Sequence, residues 1–236
     1  MHNNFYKNDI FEIISGIKDC KKKLRNQRIL LVGANGFLGK YFTEVFKELI
    51  DKEKIKFKLD CYDNFISSKN NPDIPKNHKH IKFYRKDISR IEIKKKYDKI
   101  IFLAGIASPF IYKKYPLETL SVSYNGLEKL LKHSLRYKSE LVFFSSSEIY
   151  GNPDKKNIPT KESYNGNVSS IQDRSCYDEG KRVGETLCYF YKIKQNVKVA
   201  IFRPFNIFGP GMPKNDYRVF PRFFSSIKKK TTNYYF

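Results

Sequence analysis

The sequence predicts an α/β chain wound on both faces of a parallel sheet. Short apolar runs recur along it, amphipathic stretches separate them, and a glycine-rich turn joins the first run to the first long helical pattern. The chain opens with an expected amphipathic helix over 9–23, where Ile10, Ile13, Ile14 and Ile17 fall at helical spacing. RILLVG (28–33) is almost wholly apolar, as a strand covered on both faces of a parallel sheet must be. A helical pattern follows over 37–51. Further strands are expected at KFKLDCY (56–62), HIKFYR (80–85), KIIFLAG (99–105), ELVFFSS (140–146) and VKVAIFR (197–203). Helices at 116–138 and 176–194 supply right-handed crossovers. The stretch 151–175 is rich in Asn, Pro, Ser and Gly and long for a connection, so it predicts a loop over a site instead of a domain boundary.

The 236 residues leave room for one large domain and a sizeable core. A 40% hydrophobic and 16% aromatic content excludes a disordered chain, and no short repeat suggests a fibre. Lys and Arg number 46 against 24 acids, a net charge of +22. Such a balance invites nucleic acid, because clustered cations release counterions from phosphates. Here the cations are spread along the chain, and the dense runs (Lys21-Lys22-Lys23, Lys94-Lys95-Lys96, Lys228-Lys229-Lys230) are short. Asn, Ile, Tyr and Phe are abundant too, and they share A/T-rich codons with Lys. No nucleic-acid partner is expected; the same field favours smaller anions such as nucleotides. Cys20, Cys61, Cys176 and Cys188 show no CxxC spacing, and His2, His78, His80 and His133 are scattered, so no metal site is expected. Reduced thiols and a cytoplasmic location are the expectation. The N-terminus has no signal-peptide core, and Gly105 and Pro109 break the longest apolar stretch, so no membrane is expected as a partner.

Gly33-Ala34-Asn35-Gly36-Phe37-Leu38-Gly39 lies between the first strand and the following helix. A dinucleotide pyrophosphate needs a tight turn there, close backbone approach and free helix N–H donors, the arrangement of a Rossmann fold. Asp63 ends the second strand 24 residues after Gly39, where a carboxylate accepts the ribose hydroxyls of adenosine and repels a 2′-phosphate. NAD is therefore the expected cofactor. Asp87, after the third strand, is the candidate for the adenine edge or else a simple turn residue. Asn64, Ile88, Leu103 and Ala104, beside these positions and at the end of the fourth strand, complete the candidate cofactor set.

Tyr177 and Lys181 stand four apart, on one face of the expected helix. A tyrosine titrating near 10 is a poor base at neutral pH, and an adjacent ammonium favours its ionised form. Such a tyrosine takes a proton from a sugar hydroxyl as hydride leaves. Ser145, Ser146, Ser147 and Glu148 close the fifth strand at the end where open α/β sheets bind ligands; a serine cap on the next turn is the plainer reading.

Taken in order, the glycine loop, LAGIASP, SSSEIYG, YxxxK and RPFNIFGPG resemble the extended short-chain dehydrogenase/reductase family of nucleotide-sugar enzymes (NAD-dependent epimerases and dehydratases). ASPFIYKKYPLET (107–119), SSSEIYGNP (145–153) and DRSCYDEGKRVGETLCY (173–189) resemble its UDP-glucuronate decarboxylase branch most. The resemblance implies oxidation at C4, loss of CO2 and return of hydride. It implies Tyr177 and Lys181 as the redox pair, with Ser146, Ser147 and Glu148 beside the sugar. Ser108, Pro109, Tyr112, Asn206 and Arg218 are implied on the substrate side. Dehydratases of the family carry Asp where Ser147 stands, which disfavours that branch; a 4-epimerase is the other relative reading. Gly211 replaces a family Arg, and Ser123 a family Asn. The resemblance also implies a homodimer through helices 116–138 and 176–194. It divides the chain into an N-terminal extension (1–27), an NAD-binding domain (28–204) and the start of a sugar-nucleotide portion (205–236) that is cut short. The closing IKKKTTNYYF departs from the family, as a frameshift or early stop in a Lys run would. A noncatalytic NAD-binding remnant is the alternative from outside enzymology.

Overall fold

The computed structural model describes residues 4–67 and 78–212, with Phe223, Ser226 and Ile227 besides. Every apolar run becomes a strand. These are β1 (Arg28–Val32), β2 (Lys58–Asp63), β3 (Ile81–Arg85), β4 (Lys99–Phe102), β5 (Glu140–Phe144) and β6 (Val199–Phe202). All pair in parallel, in the order β3-β2-β1-β4-β5-β6, and Leu31 of β1 sits opposite Cys61 on one side and Ile101 on the other. The order reverses at β1, and that reversal opens a crevice at the C-terminal strand ends.

Side-chain alternation sends successive β1 residues to opposite faces. Leu30 and Val32 join Ile100, Phe102, Leu127, Leu131 and Phe143 in one core. Ile29 and Leu31 join Val45, Phe46, Leu49 and Leu59 in the other. Two layers of helix cover these faces. α1 (Asn4–Gly16) and α2 (Phe37–Asp51) lie on the second core, while α3 (Pro109–Lys114), α4 (Pro116–Ser121), α5 (Leu127–Tyr137) and α6 (Ser175–Gln195) follow later in the chain. One π turn, Val122–Gly126, joins α4 to α5, so the 116–138 pattern is a single rod with a bulge. α6 ends where Asn196 turns left-handed at φ 54°.

Two elements differ from expectation. The leading helix starts earlier than 9 and stops at Gly16, because Lys18 takes a φ of 35° that a helix cannot hold; a 3₁₀ segment then covers Lys18–Leu24. α3 was not anticipated: Pro109 occupies its first turn, where a missing N–H is harmless. β6 forms where a strand was expected, but unlike β1 it is the last strand of the sheet among the described residues, and Ile201 and Phe202 are 37% and 53% exposed. Among the described residues no helix is long and apolar enough to cross a membrane.

Candidate functional site

The β1–α2 turn is built by close backbone packing. Gly33 has φ +88°, and a Cβ on it would lie 2.6 Å from the Ala104 nitrogen. A Cβ on Gly39 would lie 2.1 Å from the Gly33 carbonyl oxygen, so α2 can approach the turn only with glycine there. Gly36 caps α2 without a side chain, leaving the first N–H groups of the helix to an anion.

The cleft above this turn is lined by Gly33, Asn35, Gly36, Asp63, Asn64, Asp87, Ile88, Leu103 and Ala104, nine of the expected cofactor residues. Phe37, Leu38 and Gly39 lie in the first turn of α2 and do not line it. Asp63 is oriented by two backbone amides: Asn35 N–H donates to one carboxylate oxygen and Phe65 N–H to the other, each at 2.8 Å. Burial pushes its carboxyl above the usual range, against those hydrogen bonds and the charge of Lys40. Asp87 has the hydrogen bonds of the turn reading and also lines the cleft. Its carboxylate accepts from Ser89 N–H (3.0 Å), Ser89 Oγ (2.6 Å) and Asn64 Nδ2 (3.3 Å), and it also faces the cleft. Burial opposes ionisation there, but the hydrogen bonds and Arg90 outweigh it and lower the Asp87 pKa. Such a cleft, with a glycine turn, an open helix end and a cleft-facing carboxylate, fits a dinucleotide. Among the described residues no group of three His, Cys, Asp or Glu could hold a metal.

A second cluster lies where α6 passes the end of β5. Lys181 is 3% exposed; its Nζ donates to the Phe144 carbonyl at 2.6 Å and stands 5.8 Å from the Tyr177 ring centre. Burial pulls the ammonium down to about 8. Gly105 leaves it room, since a Cβ there would lie 3.0 Å from Nζ. The Tyr177 ring stacks on Tyr112 at 5.8 Å and 13°, so α3 delivers one expected substrate residue to the expected base. Ser108 and Pro109 begin α3, and the Ser108 carbonyl accepts from Ile111 and Tyr112 N–H. Ser146 is buried, and its Oγ accepts from Glu148 N–H at 3.2 Å, so the plainer capping reading is correct for that hydroxyl. Ser145 Oγ is buried with no hydrogen-bond partner among the described residues. Asn206 is exposed on the segment after β6, and Arg218 lies outside the described residues.

Two arginines tie the long loop down. Arg182 Nη1 donates to the carbonyls of Ile149 (3.0 Å) and Asn165 (2.8 Å). Arg203 pairs twice with Glu185 and reaches Tyr150 Oη and the Glu162 carbonyl. A third, Arg174, escaped the sequence reading although its spacing to Asp178 is the i,i+4 of a helical ion pair. It also pairs with Glu148.

The model of the family described as "NAD dependent epimerase/dehydratase family" matches residues 29–235. UDP-glucuronic acid decarboxylase 1 of Xenopus tropicalis is 37% identical over 201 residues, 84% of this chain and 45% of that protein. UDP-glucuronic acid decarboxylase 5 of Arabidopsis thaliana is 36% identical over 213 residues, 89% of this chain and 59% of that protein. The chain thus spans about half the length of these relatives. Among solved structures, UDP-N-acetylglucosamine 4-epimerase from Methanobrevibacter ruminantium, in complex with UDP-N-acetylmuramic acid, superposes with a TM-score of 0.71 at 27% identity. That match covers 87% of this chain and 64% of that one.

Proposed function

Because the chain belongs to the NAD dependent epimerase/dehydratase family, we propose that it acts on a nucleotide sugar, as a UDP-glucuronate decarboxylase producing UDP-xylose. The observation that carries this is the Tyr177–Lys181 pair at the end of β5, with Lys181 anchored on the Phe144 carbonyl and Ser146-Ser147-Glu148 leading on from that strand. Similarity to decarboxylases at 36–37% identity supports the branch.

Asn35, Gly36 and Asp63 would hold NAD in the cleft, the pyrophosphate on the open end of α2. Bound NAD supplies hydride acceptance and return. In this reading the Tyr177 oxygen takes the proton of the sugar C4 hydroxyl as C4 is oxidised to a ketone. The ketone lies β to the C6 carboxylate, so the C5–C6 bond breaks, CO2 leaves and its electron pair stays as an enolate. C5 then gains a proton, C4 is reduced, and Tyr177 returns its proton to the C4 oxygen. Glu148 is the acid or base beside the sugar. The balance is one proton taken up and one CO2 released, with no net oxidation.

Incubation with UDP-glucuronate and NAD, following CO2 and UDP-pentose, tests this. Release of both is expected. A UDP-hexuronate epimer without CO2 would move the assignment to a 4-epimerase, the activity named for the solved neighbour. Intact NAD binding without turnover would leave a binding domain alone.

A further inference from the structure

We infer that Arg174 is a positioning residue that locks Glu148 to the helix carrying Tyr177, an inference that rests on the proposed reading of the site. Arg174 stands immediately before α6. Its Nε donates to Asp178 Oδ2 at 2.7 Å, and its Nη2 reaches both Asp178 Oδ1 (3.4 Å) and Glu148 Oε2. One planar fork therefore joins two carboxylates from two separate elements.

The two ends of this bridge differ. The Asp178 side chain is only 5% exposed and follows Tyr177 directly in the chain. A buried carboxylate requires a partner, so Asp178 is the anchor that fixes the guanidinium in place. The Arg174 carbonyl adds to the anchorage by accepting from Tyr177 and Asp178 N–H at 2.9 and 3.1 Å. Glu148 is the free end: its side chain is 31% exposed, on the short turn that follows β5. Arg174 holds that carboxylate in register with the first turn of α6. Tyr177 and Glu148 thus come from different elements but share one rigid connection. A lysine cannot replace it, because a single ammonium lacks the fork that spans two carboxylates.

The test uses the full chain and the variants Arg174→Gln, Arg174→Lys, Glu148→Gln and the double Arg174→Gln/Glu148→Gln. With UDP-glucuronate and NAD, Arg174→Gln should lose about 100-fold in kcat, the scale of a misplaced reacting group, with KM for UDP-glucuronate raised about tenfold and NAD affinity within about threefold. Arg174→Lys should be no better than Arg174→Gln, whereas added guanidinium should restore part of the Arg174→Gln activity. The double variant should be no slower than the slower single one, since both remove one interaction. Wild-type kcat in Arg174→Gln, or full rescue by lysine, would overturn the inference. Loss of NAD affinity in step with kcat would reduce Arg174 to a folding role and overturn it equally. If the wild type itself shows no turnover, the functional reading fails, and Arg174 is then judged by binding alone. Affinity for UDP-glucuronate relative to UDP should fall about tenfold in Arg174→Gln and Glu148→Gln alike, and no further in the double variant. Unchanged relative affinity in Arg174→Gln would refute the positioning role.

Discussion

Replacing Lys181 by methionine separates what this side chain does for chemistry from what it costs the fold. The ammonium is almost fully enclosed, and burial brings it from 10.5 down to about 8. Between those two values the unfolded chain holds a proton that the folded one does not, so stability rises with pH across that window. Below pH 8 the charge is carried in both states, and its burial opposes folding by about 3 kcal/mol. Against this stands the hydrogen bond to the Phe144 carbonyl; losing it leaves a buried acceptor at a cost of about 1–3 kcal/mol. Lys181→Met should therefore abolish turnover while leaving stability at pH 7 equal to wild type or up to about 2 kcal/mol higher. The sharper readout is the difference between the two proteins. From pH 7 to pH 10 the wild type should gain about 2–3 kcal/mol on the variant. Urea unfolding of both at the two pH values measures it. Cys188, pushed up to about 12 by burial, stays protonated throughout and is common to both proteins. Parallel pH profiles would show that the ammonium is not held at a cost and would refute the reasoning.

Tyr177→Phe should lower turnover by about 100-fold or more while NAD affinity, followed by fluorescence titration, stays unchanged. Gly39→Ala forces a Cβ to within 2.1 Å of the Gly33 carbonyl, so α2 must move; a loss of about 1–3 kcal/mol in thermal unfolding and a weakening of NAD binding are expected. Asp63→Asn should cost NAD about tenfold in affinity and narrow its preference over NADP, read by parallel titrations. In the wild type NAD binding should weaken on acidification earlier than an ordinary carboxylate would dictate, because burial raises the Asp63 pKa and protonation removes the ribose acceptor. Arg203→Ala leaves the mostly buried Glu185 without its bidentate partner and should destabilise the protein by about 3 kcal/mol in urea.

The parallel sheet was legible because a strand covered on both faces must be apolar throughout, and RILLV in β1 meets that demand at every position but the first. The cleft over the β1–α2 turn was legible for a related reason. A pyrophosphate approaches backbone, so its requirements appear as glycines at fixed spacing, with an acid at the end of the next strand. VKVAIFR was legible as a strand but its exposure was not, because exposure depends on what lies beside β6, which composition does not encode. Lys18 likewise interrupts an apolar spacing that looked helical, since backbone angles leave no mark on a single lysine.

By itself, then, the sequence determined the fold class, the cleft and the Tyr177–Lys181 pair, all set by local spacing and hydrophobic pattern. Tertiary structure alone decided what those groups touch. Lys181 is stripped of water and hung on the Phe144 carbonyl, Tyr112 is brought from 65 residues away to stack on Tyr177, and Arg174 bridges Glu148 and Asp178. Apart from the local Arg174–Asp178 pair, each of these contacts joins elements far apart in the chain. Their energies depend on burial and distance, which exist only once the sheet has brought β5, α3 and α6 together.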